Sequence, residues 1–498
     1  MHPLLTREAL RTVEAQARLD EERAPLMRRA AQAAAQWMLA QHPPGGPVLF
    51  LLGPGNNGAD GWITAWHLHR AGWWVHLACA TPERPVCEWA QEARQELLGA
   101  AAVRCSAHWD PSLAPAWVVD ALLGIGVQRP LQEPYGGWIQ RANQLHCRRI
   151  ALDVPSGLDC DTGKAQPHSF RAHHTLTFIA DKPGLHTADG PDHSGQVVVF
   201  SLGLTPSSPG ALLQGPQLGL GWPQRARNTH KGLYGTVGVI GGALGMRGAA
   251  LLAARSALFC GAGRVWLAPP EAECDLAPFA LQQPELMVSA ASTVLANPAL
   301  TTLVAGPGLG RSPAAQQLMP HIVAFAGALV LDADALYLLA SDPALVQAVA
   351  CRAHPTLLTP HPGEARHLHG AAPTDRVQWA LGLAQRYQCW VALKGCGTVI
   401  ASASGRWWIN PTGNAALSGP GMGDVLAGMV GALLAQGLAP ELALSLSVWL
   451  HGAAADACVQ EGVGPVGLTA GELIGAIRRQ INQRFVSHSD LGATAVGI

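Results

Sequence analysis

The predicted fold class follows from the stretch VLFLLGPGNNGADG, residues Val48 to Gly61. Its first five residues form an uninterrupted apolar run, which is typical of a strand buried on both faces. A glycine-rich turn comes next, and residues 61–71 then have helical spacing. A buried strand that runs through such a turn into a helix is the unit from which parallel sheets with helices on both faces are built.

The same unit recurs along the chain and predicts two α/β domains. In the first half we predict further strands at 73–78, 117–119, 150–154, 175–179 and 197–200, and helices at 6–40, 86–99 and 134–146. In the second half we predict strands at 236–240, 264–268, 302–305, 328–331, 356–358, 390–393 and 407–409, and helices at 247–261, 312–325, 374–387, 424–436, 441–459 and 470–482. Residues 203–223 are rich in Pro, Gly and Ser, which is typical of a linker. We therefore expect domains at 1–208 and 218–489.

The composition excludes several classes of protein. The 498 residues are 49% hydrophobic and 13% charged, unlike a disordered chain. The 33 basic and 34 acidic residues give a net charge of −1, without the basic excess of a nucleic-acid-binding protein. Residues 286–310 carry no charge, but Asn297 and two prolines interrupt them. We therefore expect a buried strand and loop there and no membrane partner.

The cysteines and the N-terminal residues favour a cytoplasmic protein. Eleven cysteines without C-x-x-C spacing predict neither a disulfide framework nor a zinc ribbon. Free thiols fit a reducing compartment, and residues 1–22 contain no apolar core of a signal peptide. The 16 Trp and the small share of charged residues also predict a homo-oligomer.

Polar side chains follow three predicted strands of the first half. They are Asn56, Asn57 and Asp60 after one strand, Asp120 at the end of another, and Asp153 and Ser156 after a third. Open parallel sheets bind ligands at the carboxyl ends of their strands, so the three loops together favour a site. Asn57, Asp120 and Ser156 offer only oxygen ligands, which suits a hard cation. Taken singly, each aspartate is as well explained as a helix cap, and the glycine turn alone need hold no ligand.

In the second half the strongest pattern is GPGMGD, Gly419 to Asp424, ahead of a run with helical period. Glycines allow backbone N–H groups to converge on an anion, and the helix dipole adds to the attraction. An aspartate at the helix start is placed to accept a proton from a hydroxyl that is phosphorylated or expelled. The alternative is an N-cap aspartate after a flexible loop.

Two further segments of the second half offer ligand contacts. The segment KGCGT, Lys394 to Thr398, follows a predicted strand and supplies a cation and a hydroxyl for nucleotide phosphates. A solvated surface lysine is the alternative for Lys394. His361 follows another predicted strand, where a ligand contact and a capping or packed histidine are equally expected.

In these motifs the chain resembles the bifunctional NAD(P)H-hydrate repair enzymes, which join an epimerase domain to an ADP-dependent dehydratase domain. The first half carries GPGNNGADG, VVDALLGIGVQRP, ALDVPSGLDCDTG and TFIADKPGL. The second half carries HKGLYGTVGVIGGALGMRGAALLAA, AGPGLGR, LDADAL, TPHPGE, VALKGCGTVI and GPGMGDVLAGMVGALL. The resemblance covers nearly the whole chain, with the motifs in one order.

For the first domain the resemblance implies a Rossmann-like three-layer fold. This domain would interconvert the R and S epimers of NAD(P)H-hydrate, in which the nicotinamide ring has taken up water. Asn57, Asp120 and Ser156 would bind a potassium ion, and Asp153 is the expected acid–base residue. The residues expected to hold the hydrate are Asn56, Asn57, Gly58, Ala59, Asp60, Gly124, Ile125, Gly126, Val127, Gln128, Arg129, Pro130 and Asp153.

For the second domain the resemblance implies a ribokinase-like fold. This domain would expel the hydroxyl of the S epimer while ADP is cleaved to AMP and phosphate, with Mg²⁺ as the expected metal and Asp424 as the catalytic base. The residues expected at the hydrate are Ala249, Gly308, His361 and Asp424. The residues expected at the nucleotide are Lys394, Gly395, Cys396, Gly397, Thr398 and Gly423. Phosphorylation would turn a poor leaving group into a good one, and it needs an anion site beside a base.

Two positions depart from the family pattern. Ala59 replaces a glycine of NNGGDG, and if that position needed a positive φ, alanine would cost about 1 kcal/mol and displace Asp60. Pro420 stands in a loop that usually reads GGMGD, and it removes one backbone donor. We expect this loss to weaken nucleotide binding.

The competing function is a ribokinase-type small-molecule kinase fused to a Rossmann-like regulatory domain. The Gly421–Asp424 loop fits such a kinase equally well. The first half discriminates between the two, because a kinase has no need of the Asn57, Asp120 and Ser156 oxygens. A first domain that only binds a nucleotide or a partner is the non-enzymatic alternative.

Overall fold

The structure, a computed structural model, describes residues 2–18, 26–43, 45–80, 87–110, 112–126, 130–215, 225–271, 277–370, 373 and 375–484. These residues form two compact units, His2–Ala211 and a second that starts at Leu212. Each unit is built round a largely parallel sheet with helices, which confirms the predicted fold class. The boundary between the units falls inside the predicted linker.

The first unit contains a seven-stranded parallel sheet in the order β4-β3-β2-β5-β6-β7-β8. The strands of this sheet are β2 (Val48–Leu52), β3 (Val75–Cys79), β4 (Arg104–Ser106), β5 (Trp117–Ala121), β6 (Arg148–Leu152), β7 (His174–Phe178) and β8 (Gln196–Phe200). A further short strand, β1 (His2–Pro3), lies outside it. The helices of the first unit are α1 (Arg7–Arg18), α2 (Leu26–Leu39), α3 (Asn56–Arg70), α4 (Glu88–Gly99), α5 (Tyr135–Gln144) and α6 (Gly190–Ser194).

Helices cover both faces of this sheet, which makes the first unit a three-layer, Rossmann-like domain. On β2, Val48, Phe50 and Leu52 lie in one apolar cluster with residues of α2, α3 and α4. Leu49 and Leu51 lie in a second cluster with residues of α5. Because successive side chains of a strand point to opposite faces, a strand covered on both needs an apolar residue at every position.

The second unit contains nine strands in the order β12-β11-β10-β13-β14-β15-β16-β17-β18. After β9 (Gly210–Leu212), which spans the unit boundary, these are β10 (Thr236–Ile240), β11 (Arg264–Ala268), β12 (Met287–Val288), β13 (Thr302–Ala305), β14 (Ala328–Leu331), β15 (Thr356–Leu358), β16 (Trp390–Leu393), β17 (Val399–Ala401) and β18 (Trp407–Ile409). The pairs from β12 to β16 are parallel, and β17 and β18 pair antiparallel. This mostly parallel sheet with an antiparallel edge is the expected ribokinase-like arrangement.

Helices also surround the second sheet. They are α7 (Arg247–Phe259), α8 (Ala277–Gln282), α9 (Ala291–Leu295), α10 (Pro313–Val323), α11 (Ala333–Ser341), α12 (Pro343–Ala350), α13 (Pro362–His369), α14 (Arg376–Tyr387), α15 (Met422–Ala435), α16 (Pro440–Gln460) and α17 (Ala470–Arg484). By length and composition α16 could cross a membrane, but 78% of its apolar window is buried inside the protein, as in a core helix. The uncharged residues 286–310 contain β12, α9 and β13 with their loops.

Each sheet reverses its strand order at one place. In the first unit the chain runs outward from β2 in one direction and from β5 in the other, so these two strands are neighbours at the reversal. In the second unit β10 and β13 occupy the same position. Such a reversal leaves a crevice at the carboxyl ends of the strands, where open α/β sheets bind their ligands.

Several predicted boundaries differ from the structure. Where one helix is predicted over 6–40, the described residues form two helices, α1 and α2. Helix α3 begins at Asn56, five residues before the predicted start at Gly61, so the polar residues assigned to a loop lie within the helix. The prediction contains no counterpart of β4, β12 or β17, nor of α11, α12 and α13. The predicted linker includes all of β9, and residues 216–223 of it lie outside the described residues.

Candidate active sites

The first site lies where β2 and β5 end side by side. Gly53 follows β2, and a Cβ atom there would lie 1.7 Å from the carbonyl oxygen of Leu122, so only glycine allows this approach of the two loops. Gly58 packs equally closely on the carbonyl group of Gly53. Helix α3 therefore starts against the loop after β5, and its first five residues include the buried Asn57 and Asp60.

Ala59 fits this first turn without strain. It lies inside α3 and is not among the residues with positive φ. A right-handed helical conformation suits alanine. The condition for the expected cost and for the expected displacement of Asp60, a positive φ at this position, is therefore not met.

The three predicted oxygen ligands come together at this edge of the sheet. Asp120 is fully buried, and its two carboxylate oxygens accept hydrogen bonds of 2.7 Å from the backbone N–H and the hydroxyl of Ser156. Asn57 donates through Nδ2 to the carbonyl oxygen of Leu123 at 3.1 Å, and the N–H of Leu123 donates to Ser156 Oγ at 3.0 Å. Burial raises the pKa of Asp120 to about 6, although the bonds from Ser156 favour the charged form.

The same atoms fit an oxygen-coordinated cation. Asn57 Oδ1 is buried and has no hydrogen-bond partner in the described part of the chain. A buried, unpartnered oxygen beside a carboxylate and a hydroxyl is suited to a hard cation. No group of three or more His, Cys, Asp or Glu suited to a metal occurs among the described residues. A cation held here would therefore be bound mainly by amide, hydroxyl and carbonyl oxygens.

Asp153 faces the oxygen cluster across the Gly124 loop. It follows β6 with a φ of 65°, which is uncommon for a residue other than glycine. Its Oδ1 forms an ion pair of 2.8 Å with Nζ of Lys182, a buried lysine that follows β7. A Cβ atom on Gly124 would lie 3.4 Å from both Asp153 Oδ2 and Asn57 Cβ. The sequence analysis missed Lys182, because a sequence does not show which carboxylate a buried lysine meets.

Asp60 is the third carboxyl group of this site. Burial raises its pKa well above the usual value, and the negative charge of Asp153 raises it further. Its Oδ1 is buried without a hydrogen-bond partner among the described residues. Asp60 therefore keeps its proton to higher pH than an ordinary aspartate and, when protonated, can donate a hydrogen bond.

The remaining residues predicted to hold the hydrate are less defined by the structure. Asn56, Gly126 and Pro130 are exposed, and Ile125 is half-buried. Three more residues predicted to contact the hydrate lie outside the described residues: Val127, Gln128 and Arg129.

The second site is built at the start of α15. Gly421 is the N-cap residue with a φ of 82°, and a Cβ atom on it would lie 2.5 Å from Leu252 Cδ1, so the position requires glycine. The first N–H groups of α15 have no partner within the helix and can bind an anion. Asp424 lies in the first turn and is not the N-cap, which removes the capping alternative for it.

Lys394 lies directly against this helix start. Its Nζ is 2.6 Å from Asp332 Oδ1 and 3.8 Å from Glu364 Oε2. A Cβ atom on Gly423 would lie 3.1 Å from the same Nζ. Although burial opposes its charge, Asp332 and Glu364 raise the pKa of Lys394. With a side chain only 17% exposed, Lys394 is not the solvated surface lysine of the alternative hypothesis.

Two carboxyl groups of this cluster titrate near neutral pH. Burial raises the pKa of Asp424 to about 7, and the charge of Asp332 adds to the shift while Lys394 opposes it. Burial also raises the pKa of Glu364 to about 7, again against the effect of Lys394. A carboxyl group that titrates near the operating pH is suited to proton transfer.

His361 caps α13. Its Nδ1 accepts a hydrogen bond of 2.9 Å from the N–H of Gly363, and Glu364 Oε2 accepts one of 2.7 Å from the N–H of His361. Burial, with the nearby Lys394, lowers the pKa of His361. The structure thus gives this histidine the capping role, and its contact with the hydrate stays a prediction.

The other predicted residues of the second site lie in two neighbouring loops. A Cβ atom on Gly308 would lie 3.2 Å from Ala249 Cβ, so these two are neighbours. In the Lys394–Thr398 loop, which includes Gly395 and Gly397, Thr398 Oγ1 donates to the carbonyl oxygen of Gly395 at 3.1 Å, and Cys396 is exposed.

Sequence reasoning also missed groups that hold these loops. Arg376 donates to the carbonyl oxygens of Leu393 and Lys394 at 3.2 and 3.1 Å, which fixes the loop after β16. His451 of α16 is buried, and its Nε2 donates to the carbonyl oxygen of Met422 at 3.0 Å. Burial lowers the pKa of His451 to about 4, so it is neutral at physiological pH.

Comparison with known proteins identifies the family. Residues 237–479 match the family model of NAD(P)H-hydrate dehydratase, and residues 23–184 match that of the YjeF-related protein N-terminus. The bifunctional NAD(P)H-hydrate repair enzyme Nnr of Coxiella burnetii is 37% identical over 487 residues, which cover 92% of this chain and 94% of that protein. The Nnr enzyme of Escherichia coli K12 is 36% identical over 471 residues, which cover 92% of this chain and 89% of that protein. The chain belongs to the bifunctional NAD(P)H-hydrate repair enzymes.

Both candidate sites lie within the segments that match the NAD(P)H-hydrate repair family. The first matched segment contains Asn57, Asp120, Asp153 and Lys182, and the second contains Asp424. Among solved structures, an ADP/ATP-dependent NAD(P)H-hydrate dehydratase of Bacillus subtilis, co-crystallised with ATP and Mg²⁺, is 31% identical. The match covers 55% of this chain and 98% of the solved chain, with a TM-score of 0.47.

Proposed function

We propose that the chain repairs hydrated NAD(P)H in two steps. Residues 1–208 interconvert the R and S epimers of NAD(P)H-hydrate. Residues 218–489 dehydrate the S epimer to NAD(P)H while ADP is cleaved to AMP and phosphate. The observation that carries the proposal is a buried carboxyl site in each of two units, in a chain that aligns with bifunctional repair enzymes over 92% of its length.

In the first unit Asp153 is the proposed proton carrier. Hydration of the ring places the hydroxyl on a carbon bonded to nitrogen. When the hydroxyl proton is removed, the oxygen electron pair can form a carbonyl group as the C–N bond breaks, and the nitrogen takes up a proton. Closure of the ring from the other face reverses these transfers and gives the other epimer. Asp153 accepts and returns the proton, and Asp60, when it is protonated, donates a hydrogen bond that orients the hydrate.

The oxygen cluster of the first unit would hold a potassium ion. Asn57, Asp120 and Ser156 are its proposed ligands, and the unpartnered Oδ1 of Asn57 supports this assignment. When bound, the ion supplies a fixed positive charge beside an anionic substrate. The loops Asn56–Asp60 and Gly124–Pro130 then hold the hydrate at the same crevice.

In the second unit the start of α15 is the proposed site of phosphoryl transfer. Asp424 accepts the proton of the hydrate's hydroxyl, whose oxygen attacks the terminal phosphorus of ADP and releases AMP. The C–O bond then breaks with loss of phosphate, and a proton leaves the neighbouring ring carbon to restore the double bond. The N–H groups of α15 and the ammonium of Lys394 stabilise the charge of the phosphoryl group in flight.

Mg²⁺ is proposed as the metal that accompanies the nucleotide. Mg²⁺ usually binds to one or two carboxylates together with substrate phosphates, so the phosphates of ADP would hold it here with a carboxylate near the start of α15. When bound, it neutralises phosphate charge. The cytoplasmic location and the homo-oligomeric state stay predictions.

The kinase alternative is less well supported. A kinase would use the Gly421–Asp424 loop in the same way, but it gives no reason for the buried oxygen cluster of the first unit. The relatives that align over both units are named as repair enzymes.

The direct test uses the purified chain and a mixture of NADH-hydrate epimers. Recovery of the absorbance of reduced nicotinamide is followed with ADP, with ATP and with neither nucleotide. We expect complete recovery with ADP, because the first unit converts the R epimer into the S epimer, which the second unit dehydrates. Recovery that stops at the S epimer's share of the mixture would contradict the epimerase assignment, and no recovery with either nucleotide would contradict the dehydratase assignment.

A further inference from the structure

Lys182 is a buried, charged residue, and the motifs described above assign no function to it. Its side chain is 1% exposed. Its Nζ lies 2.6 Å from Thr177 Oγ1, 3.1 Å from the carbonyl oxygen of Phe178 and 3.2 Å from that of Ala180. The fourth oxygen near Nζ is Oδ1 of Asp153, at 2.8 Å. Burying an ammonium group costs free energy unless its N–H groups donate hydrogen bonds. The four oxygens around Nζ accept such bonds and hold the positive charge in one position.

The Asp153 carboxylate is held in one orientation by this arrangement. Its backbone has an uncommon φ of 65°, and its N–H donates to the carbonyl oxygen of Leu176 at 2.7 Å. Oδ1 is bound to Lys182, whereas Oδ2 is directed to the Gly124 loop. One carboxylate oxygen is thus occupied by the protein, and the other lies on the side of Asn57 and the substrate crevice.

We propose that Lys182 is a positioning residue for epimerisation: its ammonium binds Oδ1 of Asp153 so that Oδ2 faces the hydrate. This assignment rests on the proposed function of the first unit and adds a residue to it. Lys182 is too deeply buried to meet the substrate, so it acts through Asp153 alone. The competing explanation is a purely structural role, in which Lys182 holds together the end of β7 and the two residues after it, Thr177–Ala180.

A double-mutant cycle separates the two explanations. Lys182→Met removes the charge and keeps most of the side-chain volume. We expect the kcat of epimerisation to fall about 100-fold, because a displaced reacting group costs about that factor. In an Asp153→Asn background, Lys182→Met should change kcat no further, since its only route to the substrate is already lost. A structural role would lower activity by the same factor in both backgrounds, and that result would overturn the assignment.

Two further variants keep the test decisive. Lys164→Met removes an exposed lysine from the same unit, and we expect it to leave epimerisation unchanged. If Lys182→Met does not fold, Thr177→Val removes only the Oγ1 partner of the ammonium. That variant should lower kcat about fivefold, the equivalent of one hydrogen bond of about 1 kcal/mol, and only when Asp153 is present. An equal loss with and without Asp153 would again overturn the assignment.

Failure of the proposed function gives a different result. A wild-type chain that does not epimerise NADH-hydrate would contradict that function, and the role of Lys182 with it. An active wild-type chain whose Lys182 and Asp153 losses multiply contradicts the role of Lys182 alone.

Discussion

Burial of Asp424 has opposite effects on activity and on stability. A carboxyl that titrates at about 7 is a stronger base than an ordinary aspartate and is suited to take a proton from a hydroxyl. In the unfolded chain the same group titrates near pH 4. The folded state therefore binds more protons between these two values, and the stability of the second unit falls as the pH rises from about 4 to about 7.

Because the buried Asp424 carboxylate favours activity and lowers stability, we predict that a variant without it is more stable than the wild type and inactive. Asp424→Asn should raise the melting temperature at about pH 8, where the wild type carries a buried charge, and should lower ADP-dependent dehydration at least about 100-fold. Calorimetry and initial rates measure the two effects. A variant that melts at a lower temperature than the wild type at this pH, or that dehydrates at the wild-type rate, would show that the base is misassigned.

The pH dependence of dehydration follows from the same group. With saturating ADP, the rate should rise with pH through about 7 and then level off, because only ionised Asp424 accepts the proton. Asp332→Asn removes the nearest like charge and should shift the midpoint to lower pH. Asp334→Asn, which removes a weaker like charge, is the matched control and should shift the midpoint less. A midpoint that moves upward in Asp332→Asn would contradict this account.

At residue scale the sequence predicted the meeting of Asn57, Asp120 and Ser156, because parallel strands end at one edge of their sheet. It did not predict the ion pairs of Lys182 and Lys394. Each of these lysines meets a carboxylate from a different loop, and the choice of partner depends on strand order, which local pattern does not specify.

Among the elements, the start of α15 is the one on which phosphoryl transfer most depends. Gly421→Ala would place an L-residue at a φ of 82° and its Cβ against Leu252. We expect a loss of stability of at least about 1 kcal/mol, together with a large fall in ADP-dependent kcat. Gly437→Ala is the matched control, because Gly437 follows the other end of α15 with a φ of 89° and nothing within 4 Å. It should lose similar stability and keep its activity; equal losses of activity would contradict a specific role for the Gly421 turn.

The elements that the sequence predicted best are strands buried on both faces. The bounds of β2, β10 and β11 equal the predicted ones, because each strand is a short apolar or nearly apolar run of the length typical of a buried strand. The start of α3 was placed too late, because the letters NNGADG are typical of a loop. Close packing of Gly53 and Gly58 on backbone carbonyls makes them a helix start instead. The short antiparallel β17 was missed, although β15 and β18, which are equally short, were predicted.

At the scale of the whole molecule, each unit has its own sheet, its own strand-order reversal and its own site. The product of the first site is the substrate of the second, so a soluble intermediate can connect them without any shared residue. The two activities should therefore be separable by single substitutions. Asp153→Ala should abolish epimerisation and leave dehydration of the S epimer intact, and Asp424→Ala should do the reverse.

Mixing these two variants is the most direct measurement of the central claim. Alone, with ADP and mixed NADH-hydrate epimers, Asp153→Ala should stop at the S epimer's share of the mixture and Asp424→Ala should regenerate no NADH. Together they should restore complete recovery of the reduced-nicotinamide absorbance. A mixture that recovers no more than Asp153→Ala alone would contradict the account of two independent active sites in one chain.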